Sequence, residues 1–317
     1  MEDVLKLDKP VAIWTEKERF EGIGSCLTVI LRTIGCHWNK CLMCGYSQDA
    51  DKRVTAENLQ NQFDYAMSKF EDDFDIVKIF TSGSFFDERE VPSNVREYIY
   101  QKVVDNGVKK LSVESRPEFV TREKLVDQEV VLEVGIGLET SNDFIREHCI
   151  NKGFTFEDFK KAASLLKEEN VLIKVYLLLK PPFLSEKEAI NDAINSALHV
   201  KEYADMVSVN PTNIPSKTYI EVLWKRGMYR PPWLWSMIEV VNRIREEGME
   251  VKGDPVAGGK ERGPHNCGKC DSEAIRAIRD FSLSQDTEEL KGLSCDCIHK
   301  WKKALELEDY SRVPLYR

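Results

Sequence analysis

Short runs of aliphatic and β-branched residues recur along the first two thirds of the chain, each followed by a stretch with helical periodicity, and this alternation limits the possible folds more than any other feature. LTVILRTI at 27–34 comes first, followed by an amphipathic stretch from about Ala56 to Phe70. Further strand candidates are DIVKIFTSGS from Asp75, KKLSVESR from Lys109, VLEVGIGLET from Val131, VLIKVYLLLK from Val171 and MVSVN from Met206. Helical patterns lie near 92–105, 155–169 and 186–202, the last two opening with the capping pairs Thr155/Asp158 and Ser185/Glu188. Six strands this apolar, separated by helices, imply an α/β fold whose parallel sheet is covered on both faces or closed into a partial barrel. In such sheets the chemistry gathers at the carboxyl ends of the strands.

After Asn210 the pattern changes to PTNIPSKTY, KRGMYRPPWLWS and KGDPVAGGKERGPHN, whose prolines and glycines punctuate the chain rather than continue the repeat. A boundary near 215 is expected, dividing the chain into residues 1–215 and a smaller helical segment, 216–317. Helices are expected at about 233–247, 272–284 and 298–307, with Gly248 capping the first. A length of 317 residues and 42% hydrophobic content allow a sizeable core.

No apolar run reaches the roughly 18 residues of a membrane span. The acidic start MEDVLKLDKP lacks the basic and apolar parts of a secretion signal, so a cytoplasmic location is expected. A formal net charge of -9 repels nucleic-acid phosphates, so broad unaided binding to RNA or DNA requires basic residues gathered on one face.

Nine cysteines in a reducing compartment point to metal ligation rather than a disulfide framework. Cys36, Cys41 and Cys44 form C-x4-C-x2-C directly after the first strand, at the carboxyl edge of the sheet. A cubane cluster needs four ligands, so three cysteines leave one iron open to another group. A closed zinc site would want a fourth ligand, for which His37 is nearest. Cys267, Cys270, Cys295 and Cys297 form a second group, C-x2-C followed by C-x-C across a helical excursion. Four thiolates suffice for a tetrahedral structural zinc, and an auxiliary iron-sulfur cluster is the rival reading. His265 and His299 flank this group as substitute ligands or ordinary surface histidines. Cys26 and Cys149 are isolated and read as packing residues.

The position of the first cysteine group resembles the radical S-adenosylmethionine (SAM) superfamily, although the usual first gap there is one residue shorter. The blocks GCHWNKCLMCGY (35–46), FTSGSFFDEREVP (80–92), VESRPEFV (113–120), GIGLET (135–140), INKGFTFEDF (150–159), KPPF (180–183), YRPPWLWS (229–236) and RGPHNC (262–267) resemble the archaeosine synthase radical-subunit family, over nearly the whole chain. ESRP and GIGLET also resemble the Elongator-type acetyltransferase branch of the superfamily, whereas PPWLWS and RGPHNC separate the two. The resemblance implies a partial (β/α)6 barrel with a small helical, metal-binding C-terminal extension. It also implies a 4Fe-4S cluster on Cys36, Cys41 and Cys44 whose open iron chelates SAM. The implied reaction is cleavage of a carbon-nitrogen bond in the lysine adduct of 7-deazaguanine in the tRNA D-loop, giving archaeosine. Its expected partners are a lysine-transferring alpha subunit, the modified tRNA and an external one-electron reductant.

Thr81-Ser82-Gly83-Ser84 stands where superfamily members commonly carry a Gly-Gly-Glu-like segment that meets the methionine amino group, but the glutamate is absent. Gly83 permits close backbone approach, and the hydroxyls of Ser82 and Ser84 suit an ammonium group; a tight strand-end turn is the alternative. Glu114, Ser115 and Arg116 end the third strand and Glu139 the fourth, towards the same rim. A glutamate suits ribose hydroxyls and an arginine suits a carboxylate, but either also suits a structural ion pair. Lys180, ahead of Pro181-Pro182, is placed to hold substrate, close the rim or project into solvent.

Two other readings compete. An Elongator-like tRNA-modifying enzyme would need an acetyltransferase domain, and the roughly 100 residues after 215 show no second α/β pattern. A zinc-stabilised, non-catalytic protein-binding module would explain the second cysteine group but leave the first without purpose.

Overall fold

The computed structural model describes residues 6–70, 73–125 and 129–316. The chain packs as two compact units, one of Met1–Asn39, Tyr46–Gly137 and Glu157–Ile173, the other of Lys40–Gly45, Leu138–Phe156 and Lys174–Arg317.

The first unit opens on an antiparallel hairpin of β1 (Ala12–Arg19) and β2 (Ile23–Ile30), in register from Ala12 opposite Ile30 to Arg19 opposite Ile23. β3 (Ile76–Phe80), β4 (Lys110–Ser115) and β5 (Val131–Glu139) then add in parallel, in chain order. Helices α1 (Ala56–Ser68) and α2 (Ser93–Asp105) provide the crossovers from β2 to β3 and from β3 to β4. α1 starts where Thr55 and Asn58 exchange capping hydrogen bonds, and it buries Leu59, Gln62, Phe63 and Ala66, one face at helical spacing. α3 (Phe156–Glu168) buries Phe159, Ala162, Ala163 and Leu166 on the same principle.

The apolar strand runs also bury charge. Lys78 of β3 lies between Glu16 (2.5 Å) and Glu18 (2.7 Å) of β1, and Lys110 of β4 meets Glu133 of β5 at 3.1 Å. Breaking a buried ion pair by removing one partner costs about 3–5 kcal/mol.

In the second unit β6 (Leu172–Leu179), which enters it at Lys174, pairs in parallel with β7 (Met206–Pro211), and β7 with β8 (Val251–Gly253). The segment after 215 is therefore not purely helical, since it returns a three-residue strand to the sheet. α4 (Glu186–Val200) begins at the expected Ser185/Glu188 capping box. α5 (Tyr219–Lys225), α6 (Leu234–Glu246), α7 (Asp271–Ser284) and α8 (Ile298–Ser311) follow. α6 ends at the expected cap, with Gly248 at φ 83° donating to the Arg245 carbonyl. Cys26 and Cys149 are buried, as packing residues should be.

Candidate functional site

In the first unit the loop after β2 meets the turn after β3. The β-carbon and sulfur of Cys36 lie so close to Gly83 that a side chain on Gly83 would stand 2.8 Å from both. Only glycine allows this approach. Gly83→Ala is therefore expected to displace Cys36 and to lower the iron bound after anaerobic reconstitution severalfold, at an overpacking cost of about 1–3 kcal/mol. Iron analysis and a thermal melt check this; wild-type iron content would mean that the loop yields.

A glutamate from further along the chain braces the Thr81–Ser84 turn. Glu90 is 1% exposed, and its carboxylate accepts hydrogen bonds from the amides of Gly83 (3.0 Å) and Ser84 (2.7 Å) and from the Thr33 hydroxyl (2.7 Å). It ties the turn to the base of the Cys36 loop. Burial raises its pKa despite these donors. Spacing alone could not find it, because segment 85–91 has no period and folds back through Asp87.

Ser84 is buried, and its hydroxyl accepts from the Arg116 amide at 3.0 Å, whereas Ser82 and Gly83 are half-buried. The Ser115 hydroxyl donates to the Arg116 carbonyl at 3.1 Å. The Arg116 guanidinium pairs with Glu118 at 2.5 Å and lies 5.6 Å from the centre of the Trp38 ring. Glu114 is half-buried at the end of β4, its carbonyl accepting from Phe85.

In the second unit, Cys41 and Cys44 share a hydrogen-bonded turn, with the Cys44 amide 3.3 Å from the Cys41 carbonyl. Leu42 between them donates to Ile150 (2.9 Å) and accepts from Ile220 (3.2 Å), so the turn is fixed from two sides. Ile150 ends a π-helical segment, Arg146–Ile150, a wide turn that recurs at functional sites. Glu139, with φ 68°, is paired to Lys152 at 2.6 Å. Lys180 is not in solvent: it is 2% exposed and its ammonium lies 2.6 Å from Glu186 and 3.6 Å from Glu308.

The C-terminal cysteines converge as a closed set. Their four sulfurs lie within 4.8 Å of one another, with Cys267 3.6 Å from Cys295, Cys270 3.6 Å from Cys297, and Cys267 4.0 Å from Cys270. Four sulfurs each about 2.3 Å from one tetrahedral ion would stand about 3.8 Å apart. The spacing fits a single ion and is too tight for a cluster whose cysteines bind different irons. The Trp235 indole donates to Cys297 (3.3 Å) and the Asn266 amide to Cys270 (3.4 Å), as donors around a metal-bound thiolate do. Burial pushes the Cys270 thiol up to about 11 and raises Cys297 also. At Cys267 burial acts upward too, but the backbone amide of Lys269 and neighbouring thiols outweigh it and bring the pKa down to about 7. Held as four thiolates at this spacing, they would need a cation between them. His265 turns its Nδ1 to the Gly263 carbonyl, and neither it nor His299 joins the group.

This group is tied to Lys180 through protein. Glu186, which holds the lysine, accepts from the Trp233 amide (2.8 Å) and the Ser236 hydroxyl (2.5 Å), and Ser236 accepts from the Trp301 indole (2.8 Å). Trp301 and Trp233 pack in the same cluster as Cys270 and Cys297.

Comparison with known proteins places the chain in a family. Residues 30–193 match the model of the radical SAM superfamily. The archaeosine synthase subunit beta of Methanosarcina acetivorans is 44% identical over 319 residues, covering 96% of this chain and 92% of its own. That of Thermococcus kodakarensis is 38% identical over 310 residues, covering 92% and 96%. Among solved structures, queuine lyase from Clostridium spiroforme shares the fold at a TM-score of 0.50 and 23% identity, over 66% of this chain and 86% of that one. This chain is a radical SAM enzyme and belongs, within that superfamily, to the archaeosine synthase subunit beta family.

Proposed function

We propose that this chain cleaves a carbon-nitrogen bond in the lysine adduct of 7-deazaguanine in the tRNA D-loop, leaving the formamidine of archaeosine. Identity to archaeosine synthase subunit beta along almost the full length of both chains carries this reading. Cys36, Cys41 and Cys44 are the residues assigned to the 4Fe-4S cluster, and their donor set suits it: three half-buried thiols outside any disulfide, with glycine opposite the first. When bound and reduced, the cluster would supply one electron to SAM, giving methionine and a 5'-deoxyadenosyl radical able to attack an unactivated C-H bond.

The protein's part is to bind and orient. Gly83 and Ser82 are assigned to the methionine end of SAM, with Glu90 and Ser84 holding that turn in place. Glu114 is assigned to the ribose and Arg116 to a carboxylate, and Ser115 and Glu139 to binding the cofactor. Lys180 supports its loop from within, its charge matched by Glu186. Residues 1–215 form the catalytic domain in this reading, and 216–317 are the extension stabilised by a single metal ion, with zinc assigned.

No helix among the described residues is long and apolar enough to cross a membrane. The relatives are named as subunits, and a chain of net charge -9 is poorly suited to holding tRNA alone, so a lysine-transferring alpha subunit is assigned most phosphate contacts. Labelled tRNA bearing the adduct, titrated into this chain, the alpha subunit and their mixture, tests this. The isolated chain should bind in the non-specific range of about 10⁻⁴ to 10⁻⁶ M, and the mixture should bind tightly and turn over. Nanomolar binding by the chain alone, or full turnover without the partner, would overturn the assignment of partner. Absence of turnover in the mixture, with SAM cleavage intact, would overturn the reaction.

A further inference from the structure

One face of the second unit departs from the acidic character of the chain. Between residues 211 and 232 there are four basic residues and one acidic one, in a protein whose formal net charge is -9. Arg230 is buried, but Lys217, Lys225 and Arg226 are exposed. The acidic residue, Glu221, is occupied: it accepts from the Lys217 amide and pairs with Arg262 at 2.8 Å and with Lys225 at 3.3 Å. Among the described residues neither Lys217 nor Arg226 is ion-paired.

Two exposed aromatic rings accompany this segment, Tyr219 from within it and Phe183 packed against Tyr219. Phe183 is 50% exposed, Tyr219 is 47% exposed, and their centres lie 6.2 Å apart. Phe183 has φ 73°, an outlier for a bulky residue, and Lys180 (62°) and Lys217 (58°) are also left-handed. Strain of this kind concentrates at binding sites, where the surrounding structure holds it. Here it presents a phenylalanine to solvent.

The face adjoins the cluster loop. Ile220, next to Tyr219, donates to the Leu42 carbonyl between Cys41 and Cys44, and Met43 packs against the buried cluster of Ile214, Ile220, Leu223 and Tyr229. This places the segment beside two of the cysteines assigned to the cluster, where RNA delivering a nucleoside to them would lie. Unstacked bases are recognised by aromatic faces, and their flanking phosphates by lysine and arginine.

We propose that Phe183 and Tyr219, with Lys217, Lys225 and Arg226, form the surface where the RNA substrate lies against this chain, the rings stacking on an unstacked base and the cations meeting adjacent phosphates. The inference rests on the tRNA reading above and adds a location to it. It also fits weak binding by the isolated chain, because so few cations make only a local contact.

The test uses the full, anaerobically reconstituted chain with the alpha subunit and fluorescent tRNA bearing the lysine adduct, with dissociation constants measured over a salt series. The double variant Lys217→Glu with Arg226→Glu should weaken binding about tenfold and flatten the salt dependence by about two phosphate contacts. Phe183→Ala and Tyr219→Ala should each weaken binding about fivefold or more with the salt slope unchanged, as loss of stacking does. Iron content and melting temperature serve as checks that each variant is folded. Wild-type affinity in all the variants, while wild-type protein binds and processes the tRNA, overturns the surface alone. Loss of alpha-subunit binding with tRNA affinity retained also overturns it, and marks the face as a protein interface. If the wild-type mixture neither binds nor processes the tRNA, the tRNA reading itself fails.

Discussion

Alanine in place of Cys36, Cys41 or Cys44 is expected to abolish 5'-deoxyadenosine formation and to lower bound iron sharply, while leaving a soluble, folded protein. On the proposed assignment each variant removes one of the three cluster ligands, so the loss should be near total rather than graded. The fold should survive because all three cysteines are half-buried in loops beyond the strand ends, whereas the core rests on fully buried side chains such as Leu27, Val29, Ile76 and Val134. Cys26 is the matched control. It is 0% exposed on β2, where burial pushes its thiol up to about 11. Cys26→Ala should cost about 1 kcal/mol of stability and keep both iron and activity. Anaerobic iron and sulfide analysis, beside product measured after dithionite reduction, separates the two groups. Substantial product from any of the first three variants would mean that the cluster is held elsewhere.

Cys270→Ser and Cys297→Ser should do the opposite, collapsing stability first and activity only as a consequence. Structural zinc sites contribute about 10–16 kcal/mol of apparent binding energy in small peptides, comparable with the whole stability of a domain. Cys270 and Cys297 are buried among Trp233, Trp235, Leu293 and Trp301, so losing the ion would leave repelling or protonated sulfurs in an apolar cluster. The damage should reach Lys180, since Glu186 and Ser236 link the two places. A chelator should lower the melting temperature of the wild-type protein, and metal analysis should find one ion at this site without matching sulfide. A variant that melts normally but is inactive would instead indicate an auxiliary cluster. Iron and sulfide retained at this site after removal of the first cluster would do the same.

How much of this was readable in advance depended on the distance over which each feature is determined. The strands β2 to β7 and the longer helices announced themselves because their signal is local: an apolar run or a 3.6-residue period, with a cap such as Ser185/Glu188. β1 did not, because AIWTEKER is rich in charge, and its Glu16 and Glu18 pair with Lys78, some 60 residues on. β8 has three residues and α5 has seven, too short to show a period.

The cysteine groups follow the same division. Spacing alone marked Cys36, Cys41 and Cys44, and likewise Cys267, Cys270, Cys295 and Cys297, as ligand sets, because metal chemistry limits the residue types and the short loops that carry them. Sequence could not decide between one ion and a cluster at the second group; the 3.6–4.0 Å separations of its sulfurs favour one ion. Nor could it foresee that Glu90 holds the Thr81–Ser84 turn, that Lys180 is buried against Glu186, or that Phe183 meets Tyr219. Residue identity and spacing along the chain determined the candidate ligands and the layered fold. Tertiary structure alone decided which charges are neutralised and which rings remain exposed, because burial and pairing depend on neighbours brought together from distant parts of the sequence.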